Sequence, residues 1–258
     1  MLADLTAGAV ADAEARASEK PLHTVEAAAR VAAPALDALT ALAPADRVKI
    51  IAEVKRASPS RGDLASIPDP ALQSRLYEQG GASAISVLTE GRRFKGSLAD
   101  LEAVKAAVGV PVLRKDFIAN EYQVLEARAA GADLVLLIVA ALEQDVLQRL
   151  HGLVLEWGMT PLVEAHTADE VDRAVDLGAR LIGVNARNLS TFELDKNLFG
   201  SLVDRIPRDV VKVAESAVLV PGDVAHYRAA GADVVLVGEA LVTGDPVSTL
   251  QAFLEAGS

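Results

Sequence analysis

Four segments of the 258-residue chain repeat one pattern, in which a helical stretch runs into Gly-Ala and then into a short apolar, β-branched run. GASAISVLT begins at Gly81, GADLVLLIV at Gly131, GARLIGVN at Gly178 and GADVVLVG at Gly231, at spacings of 50, 47 and 53 residues. Glycine closes a helix in the left-handed conformation, and an unbroken apolar run behind it reads as a strand buried on both faces. A second set of strands lies between them: VKIIAEVK (48–55), VPVLRK (110–115), TPLVEA (160–165) and VVKVAE (210–215). Each is followed by a helical pattern such as ADLEAVKAAV or ADEVDRAVDL.

The chain thus reads as eight strand–helix units of about 25 residues, the rhythm of a (β/α)8 (TIM) barrel of the α/β class. A doubly wound open sheet has no reason to keep a four-fold period, and no G-x-G-x-x-G follows the first strand. Residues 1–258 read as one domain. The first 46 fall outside the count and read as two or three short Ala-rich helices, broken at Pro21 and Pro34 and ending at Pro44-Ala45-Asp46. Too short to be stable alone, they are expected to pack on the barrel as an N-terminal helical extension.

Composition narrows the function. Hydrophobic residues make up 51% of the chain and aromatics only 3%, so Ala, Val, Leu and Ile must build the core. The absence of cysteine excludes disulfides, Zn–Cys sites, iron–sulfur clusters and thiol nucleophiles. A formal net charge of −11 argues against nucleic-acid or membrane-surface partners. Asp4, Asp12 and Glu14 stand where a signal peptide would be basic, and the apolar run 134–142 is far below the ~20 residues that span a bilayer. A cytoplasmic location is expected.

Barrel chemistry sits at the C-terminal ends of the strands. Those ends carry Glu53, Lys55, Lys115, Glu164, Asn185, Glu215, Ser216 and Gly238. Alternation puts Ile51, Glu53 and Lys55 on one face of the first strand. If that face is the interior, a carboxylate and an ammonium are buried together, which is costly unless they are paired. A structural ion-pair network at the rim would account for one such residue. Lys55 and Lys115 with Glu53, Glu164 and Asn185 converging on one mouth point instead to general acid–base chemistry, with burial expected to move the Lys and Glu pKa values toward neutrality. The loops after the seventh and eighth strands, Glu215-Ser216-Ala217 and Gly238-Glu239-Ala240, suit backbone phosphate binding. His23, His151 and His226 read as surface residues. His166 falls at the mouth, without an expected role. No two histidines have metal-ligand spacing and no H-E-x-x-H occurs, so no metal site is expected.

The motifs IIAEVKRASPSRG (50–62), SVLTE (86–90), LRKDFI (113–118), ADLVLLIVA (132–140), PLVEAH (161–166), IGVNARNL (182–189) and KVAES (212–216) resemble indole-3-glycerol phosphate synthase. The likeness runs from about Leu2 to Leu241. It implies conversion of 1-(2-carboxyphenylamino)-1-deoxyribulose 5-phosphate to indole-3-glycerol phosphate, releasing carbon dioxide and water, without a cofactor or metal. By that resemblance Lys115 is the general acid and Glu164 the base of the dehydration. Glu53 and Asn185 position the sugar hydroxyls and Lys115, and Lys55 contacts the anionic groups or serves as a second acid. Ser58 and Arg187 match anion-binding positions, and Phe94, Phe117, Leu136 and Leu189 lie near the aromatic ring. Ser216, Ala217, Gly238 and Glu239 match the phosphate cradle, with Ser216 also among the catalytic group. Ala217 departs from the family's usual E-S-G, and the EALVTG run after Gly238 lacks the basic ending of many members. Phosphoribosylanthranilate isomerase, another phosphate-binding barrel, would call for a Cys/Asp pair that a cysteine-free chain lacks. A silent scaffold would not need both Lys115 and Glu164. The expected partner is a small phosphorylated substrate, and a monomer is expected.

Overall fold

The computed structural model describes residues 1–59, 61–188 and 193–258. Eight parallel strands close into a barrel. They are β1 (Lys49–Val54), β2 (Ala84–Leu88), β3 (Val112–Lys115), β4 (Leu134–Ile138), β5 (Thr160–Ala165), β6 (Leu181–Asn185), β7 (Val211–Glu215) and β8 (Val234–Val237). Closure is visible in β1, where Ile51 pairs with Leu236 of β8 on one side and with Ala84 of β2 on the other. The crossover helices are α4 (Pro70–Gln79), α5 (Leu98–Lys105), α6 (Glu121–Ala129), α7 (Gln144–Glu156), α8 (Ala168–Asp176), α9 (Leu198–Leu202) and α10 (Pro221–Ala229). After β8 the chain ends in α11 (Glu239–Val242) and α12 (Pro246–Ala256).

The repeated glycines act as expected. Gly81, Gly131, Gly178 and Gly231 take φ values of 98°, 87°, 80° and 97°, which lets the chain leave each helix and enter a strand within three residues. Ser97, Asn120 and Thr167 each accept an amide hydrogen bond at the start of α5, α6 and α8.

Strand alternation divides the core in two. Ile50, Ala52 and Val54 face the helices, together with Ile85, Val135 and Val235 of other strands. Ile51, Leu113, Leu134, Leu162 and Val213 fill the barrel interior. In the same register Glu53, Lys115, Glu164 and Glu215 point inward at the upper ends of their strands. The apolar filling therefore stops where the charges begin.

The N-terminal extension forms α1 (Leu2–Glu19), α2 (Leu22–Val31) and α3 (Ala38–Ala41). It does more than lie against the barrel. Ala38 and Leu42 join the interior cluster, and the Leu36 amide donates to Asp133 at the start of β4, so this segment closes the bottom of the barrel. Leu5 of α1 lines the cavity at the opposite end. Arg16 of α1 donates twice to Glu126, at 2.6 and 2.8 Å. Among the described residues no helix is long and apolar enough to cross a membrane.

Candidate active site

A cavity of about 400 Å³ opens at the C-terminal ends of the strands. Its lining includes Glu53, Lys55, Ser58, Phe94, Lys115, Phe117, Leu136, Glu164, Asn185, Arg187, Ser216, Ala217, Gly238 and Glu239, so these sequence-derived site residues meet in one place. Leu189 lies outside the described residues.

At the floor, the Lys115 ammonium stands 3.3 Å from Glu164 Oε2 and 3.4 Å from Glu215 Oε2. Both carboxylate side chains are only 1% exposed. Burial alone would lower the lysine's pKa, but the charges of Glu164, Glu215 and Glu53 outweigh it and raise it. For Glu164, burial pulls upward, while Lys115, then His166, the Glu215 hydrogen bond and Asn185 bring its pKa down to about 2. The expectation that burial would move both groups toward neutrality is therefore corrected. Pairing wins over desolvation because one ammonium is enclosed by three carboxylates.

Glu215 is the residue that sequence reasoning left out of the catalytic set. Burial first, and then the adjacent Glu164 charge, push its pKa well above the ordinary carboxylate value. The two neighbouring carboxyl groups are thus driven apart, Glu164 toward the charged form and Glu215 away from it. The sequence showed only that Glu215 ends a strand, and its place beside Lys115 depends on a neighbouring strand. A Cβ at Gly183, in the middle of β6, would collide with the Glu215 carboxylate, so that glycine makes the space Glu215 occupies.

Glu53 pairs with Lys55, its Oε1 standing 2.7 Å from Nζ. The expected link from Glu53 to Lys115 is electrostatic, while Lys55 takes its direct ion pair. Gly238, just past the end of the neighbouring β8, leaves room for this pair, since a Cβ there would lie 2.7 Å from Glu53 Oε1 and 3.0 Å from Lys55 Nζ. The Asn185 carbonyl oxygen accepts from Ser216 Oγ at 2.8 Å and from the Arg187 amide at 3.0 Å. That arrangement leaves the Asn185 amide group to hydrogen-bond Glu164.

The floor has an apolar side and a backbone side. Phe94 and Phe117 stack obliquely with centroids 6.2 Å apart, next to Leu136 and Ile138. Opposite, Ser216 (φ 71°) and Ala217 (φ 58°) form two successive left-handed residues, a conformation that costs about 1–2 kcal/mol per non-glycine residue. Tyr227 holds this turn by donating its hydroxyl to the Ser216 carbonyl at 3.2 Å. Successive amides in such a turn form an anion-binding concavity. The Glu239 side chain is engaged by Arg61. Arg187 is half-buried, and burial, with Arg61 nearby, draws its pKa down despite the Glu239 charge.

The histidines divide differently from expectation. His23 and His226 are exposed, whereas His151 on α7 is buried at 6% exposure, and desolvation lowers its pKa. Helix periodicity turns His151 toward the barrel beside Leu147, Leu150 and Val154. His166 sits beside Glu164, its Nε2 3.4 Å from Oε1.

The family profile described as indole-3-glycerol phosphate synthase matches residues 2–252. An indole-3-glycerol phosphate synthase from Leifsonia xyli subsp. xyli is 74% identical over 253 residues, covering 98% of this chain and 97% of that protein. One from Rhodococcus opacus is 55% identical, covering 97% and 93%. Among solved structures, thiamine phosphate pyrophosphorylase from Pyrococcus furiosus aligns with a TM-score of 0.60 at 14% identity, over 81% of this chain and 94% of that one, a likeness of fold alone. With a barrel whose mouth gathers an enclosed Lys115, an apolar wall and a backbone anion turn, and with near-complete relatives at such identity, the chain belongs to the indole-3-glycerol phosphate synthase family.

Proposed function

We propose that Lys115 delivers the proton that drives indole ring closure in this barrel, and that Glu164 accepts the proton lost in the dehydration that follows. The activity is that of a carboxy-lyase of tryptophan biosynthesis, forming indole-3-glycerol phosphate from 1-(2-carboxyphenylamino)-1-deoxyribulose 5-phosphate. Ring closure requires the aromatic carbon to attack the substrate ketone while its oxygen takes up a proton. The surrounding carboxylates keep the ammonium charged at every physiological pH, so its proton is in place for the oxygen, whose basicity rises as the ring closes. Loss of carbon dioxide needs an unsolvated place for the ring, and Phe94, Phe117 and Leu136 provide it. Loss of water then needs an acid at the departing hydroxyl and a base, for which Glu164 stays ionised. Glu53 and Asn185 orient the sugar hydroxyls and the ammonium. Lys55, Ser58 and Arg187 meet the anionic groups, Lys55 also being placed to act as a second acid.

The phosphate is assigned to the amides of Ser216–Ala217 and Gly238–Glu239, with Ser216 also steadying Asn185. Because the protein's overall charge repels an anion, these short-range donors must carry the affinity. We read the chain as one domain with residues 1–46 as its extension. It is read as a cytoplasmic monomer without nucleic-acid or membrane partners. The observation that carries the reading is the Lys115–Glu164–Glu215 cluster between an apolar wall and a left-handed anion turn. Supplying the carboxyphenylamino-deoxyribulose phosphate should produce indole fluorescence. No fluorescence with folded protein would refute it.

A further inference from the structure

Beside Glu164, outside the lining of the cavity, the His166 Nε2 stands 3.4 Å from Glu164 Oε1, and neither atom has a hydrogen-bond partner. His166 does not line the cavity, and its side chain is 10% exposed. The other ring nitrogen, Nδ1, is 3.2 Å from Glu170 Oε2 in the first turn of α8. The same oxygen accepts the His166 backbone N–H at 2.7 Å, which fixes the ring against the helix.

The chemistry of these contacts decides the state of the ring. A carboxylate only accepts, so Nδ1 must carry a proton to meet Glu170. With Nδ1 protonated, Nε2 either turns a lone pair toward the Glu164 oxygen, which repels, or is protonated as well. Two buried, unpartnered atoms facing each other favour the second arrangement, because leaving both unsatisfied is costly. Imidazolium between two carboxylates is the arrangement that satisfies all three.

We infer that His166 is a positioning residue for the reaction: its imidazolium clamps Glu164 Oε1, keeping that carboxylate ionised and its Oε2 turned onto Lys115. Glu164 thus has a cation on each oxygen, Lys115 from β3 and His166 from its own loop. The groups facing the ring are Glu164 of β5, Glu170 of α8 and, across Glu164, Lys115, with Glu215 of β7 on the far side of the carboxylate. Burial and Lys115 disfavour the charged ring, while the Glu170 hydrogen bond and the charges of Glu164 and Glu170 favour it, and the balance raises its pKa. The inference rests on the reading of Glu164 as the base.

The test is the pH profile of kcat for wild type, His166→Gln and His166→Leu, with melting temperatures alongside. The wild-type profile should fall on the alkaline side as the imidazolium loses its proton. Gln places a neutral N–H donor near the Nε2 position, so His166→Gln should lose that limb and keep kcat at neutral pH within about threefold, one ordinary hydrogen bond being exchanged for another. His166→Leu should lower kcat about tenfold, the loss of one charge-assisted contact, with KM little changed. Glu170→Gln should move the alkaline limb to lower pH by withdrawing the charge that holds the ring protonated. A His166→Leu protein with wild-type kcat and profile would overturn the inference. So would parallel losses of activity and melting temperature with an unmoved profile. Failure of the underlying reading is separable: it would show as full activity in Glu164→Gln, whatever His166 does.

Discussion

Replacing Lys115 by Met keeps the length of the side chain and removes its charge from among three carboxylates. Glu164 and Glu215 lie 3.3 and 3.4 Å from the ammonium, and both are nearly free of solvent contact. If both acids stayed charged, losing the partner of a buried ionic cluster would cost about 3–5 kcal/mol. They need not stay charged. Glu164 is held at about 2 chiefly by Lys115 against burial. Without that ammonium, burial outweighs the smaller pull of His166, and the folded-state pKa of Glu164 rises above the ordinary value of about 4.3. In the wild type, Glu164 contributes stability above its unfolded pKa, lost as pH falls through the folded one. In the variant the sign reverses. Between about 4.3 and the raised value the folded state holds the extra proton, so stability falls as pH rises, by about 1.4 kcal/mol per unit for that proton. The variant should therefore be close to wild type in urea melts near pH 5 and fall well behind it by pH 8. Its kcat should drop about 10²–10⁴-fold across that range, the contribution of a positioned acid. A stability gap independent of pH would refute the enclosed-ammonium argument, and a variant keeping more than half of wild-type kcat would remove Lys115 from the acid role.

Glu164→Gln should lose kcat by about 10²-fold or more while costing little stability, because Lys115 keeps its contact with Glu215 at 3.4 Å; circular dichroism melts showing equal losses would favour a purely structural ion pair. Ala217→Gly relieves about 1 kcal/mol of left-handed strain but gives up a buried methyl and adds unfolded-chain freedom of similar size. Since the turn is already left-handed in the free protein, titration with indole-3-glycerol phosphate should show affinity within about twofold of wild type, and a large change would mean that the turn forms only on binding. Among the described residues no three His, Asp or Glu side chains converge on a possible cation site, and activity should survive EDTA; loss restored by added metal would contradict the site.

The Gly-Ala repeat determined most of the architecture without the structure, because each glycine must end a helix and each apolar run must be buried on both faces. Once eight such units close, strand alternation forces Glu53, Lys115 and Glu164 to the same mouth, and the residues naming the chemistry could be read from their places at strand ends. Three things were left to the tertiary structure. The direction of the Lys115 and Glu164 pKa shifts depends on whether pairing or desolvation dominates, a matter of a few ångströms across strands far apart in sequence. Glu215 joins Lys115 only because Gly183, on the neighbouring strand, leaves its carboxylate room. Helix periodicity marked residues 1–46 as an extension, yet nothing local says that Leu42 stops the barrel's bottom while Leu5 reaches its mouth. Periodicity is a property of neighbours along the chain, and it is legible there. Electrostatic balance and closure are set by neighbours in space, and only the folded chain chooses those.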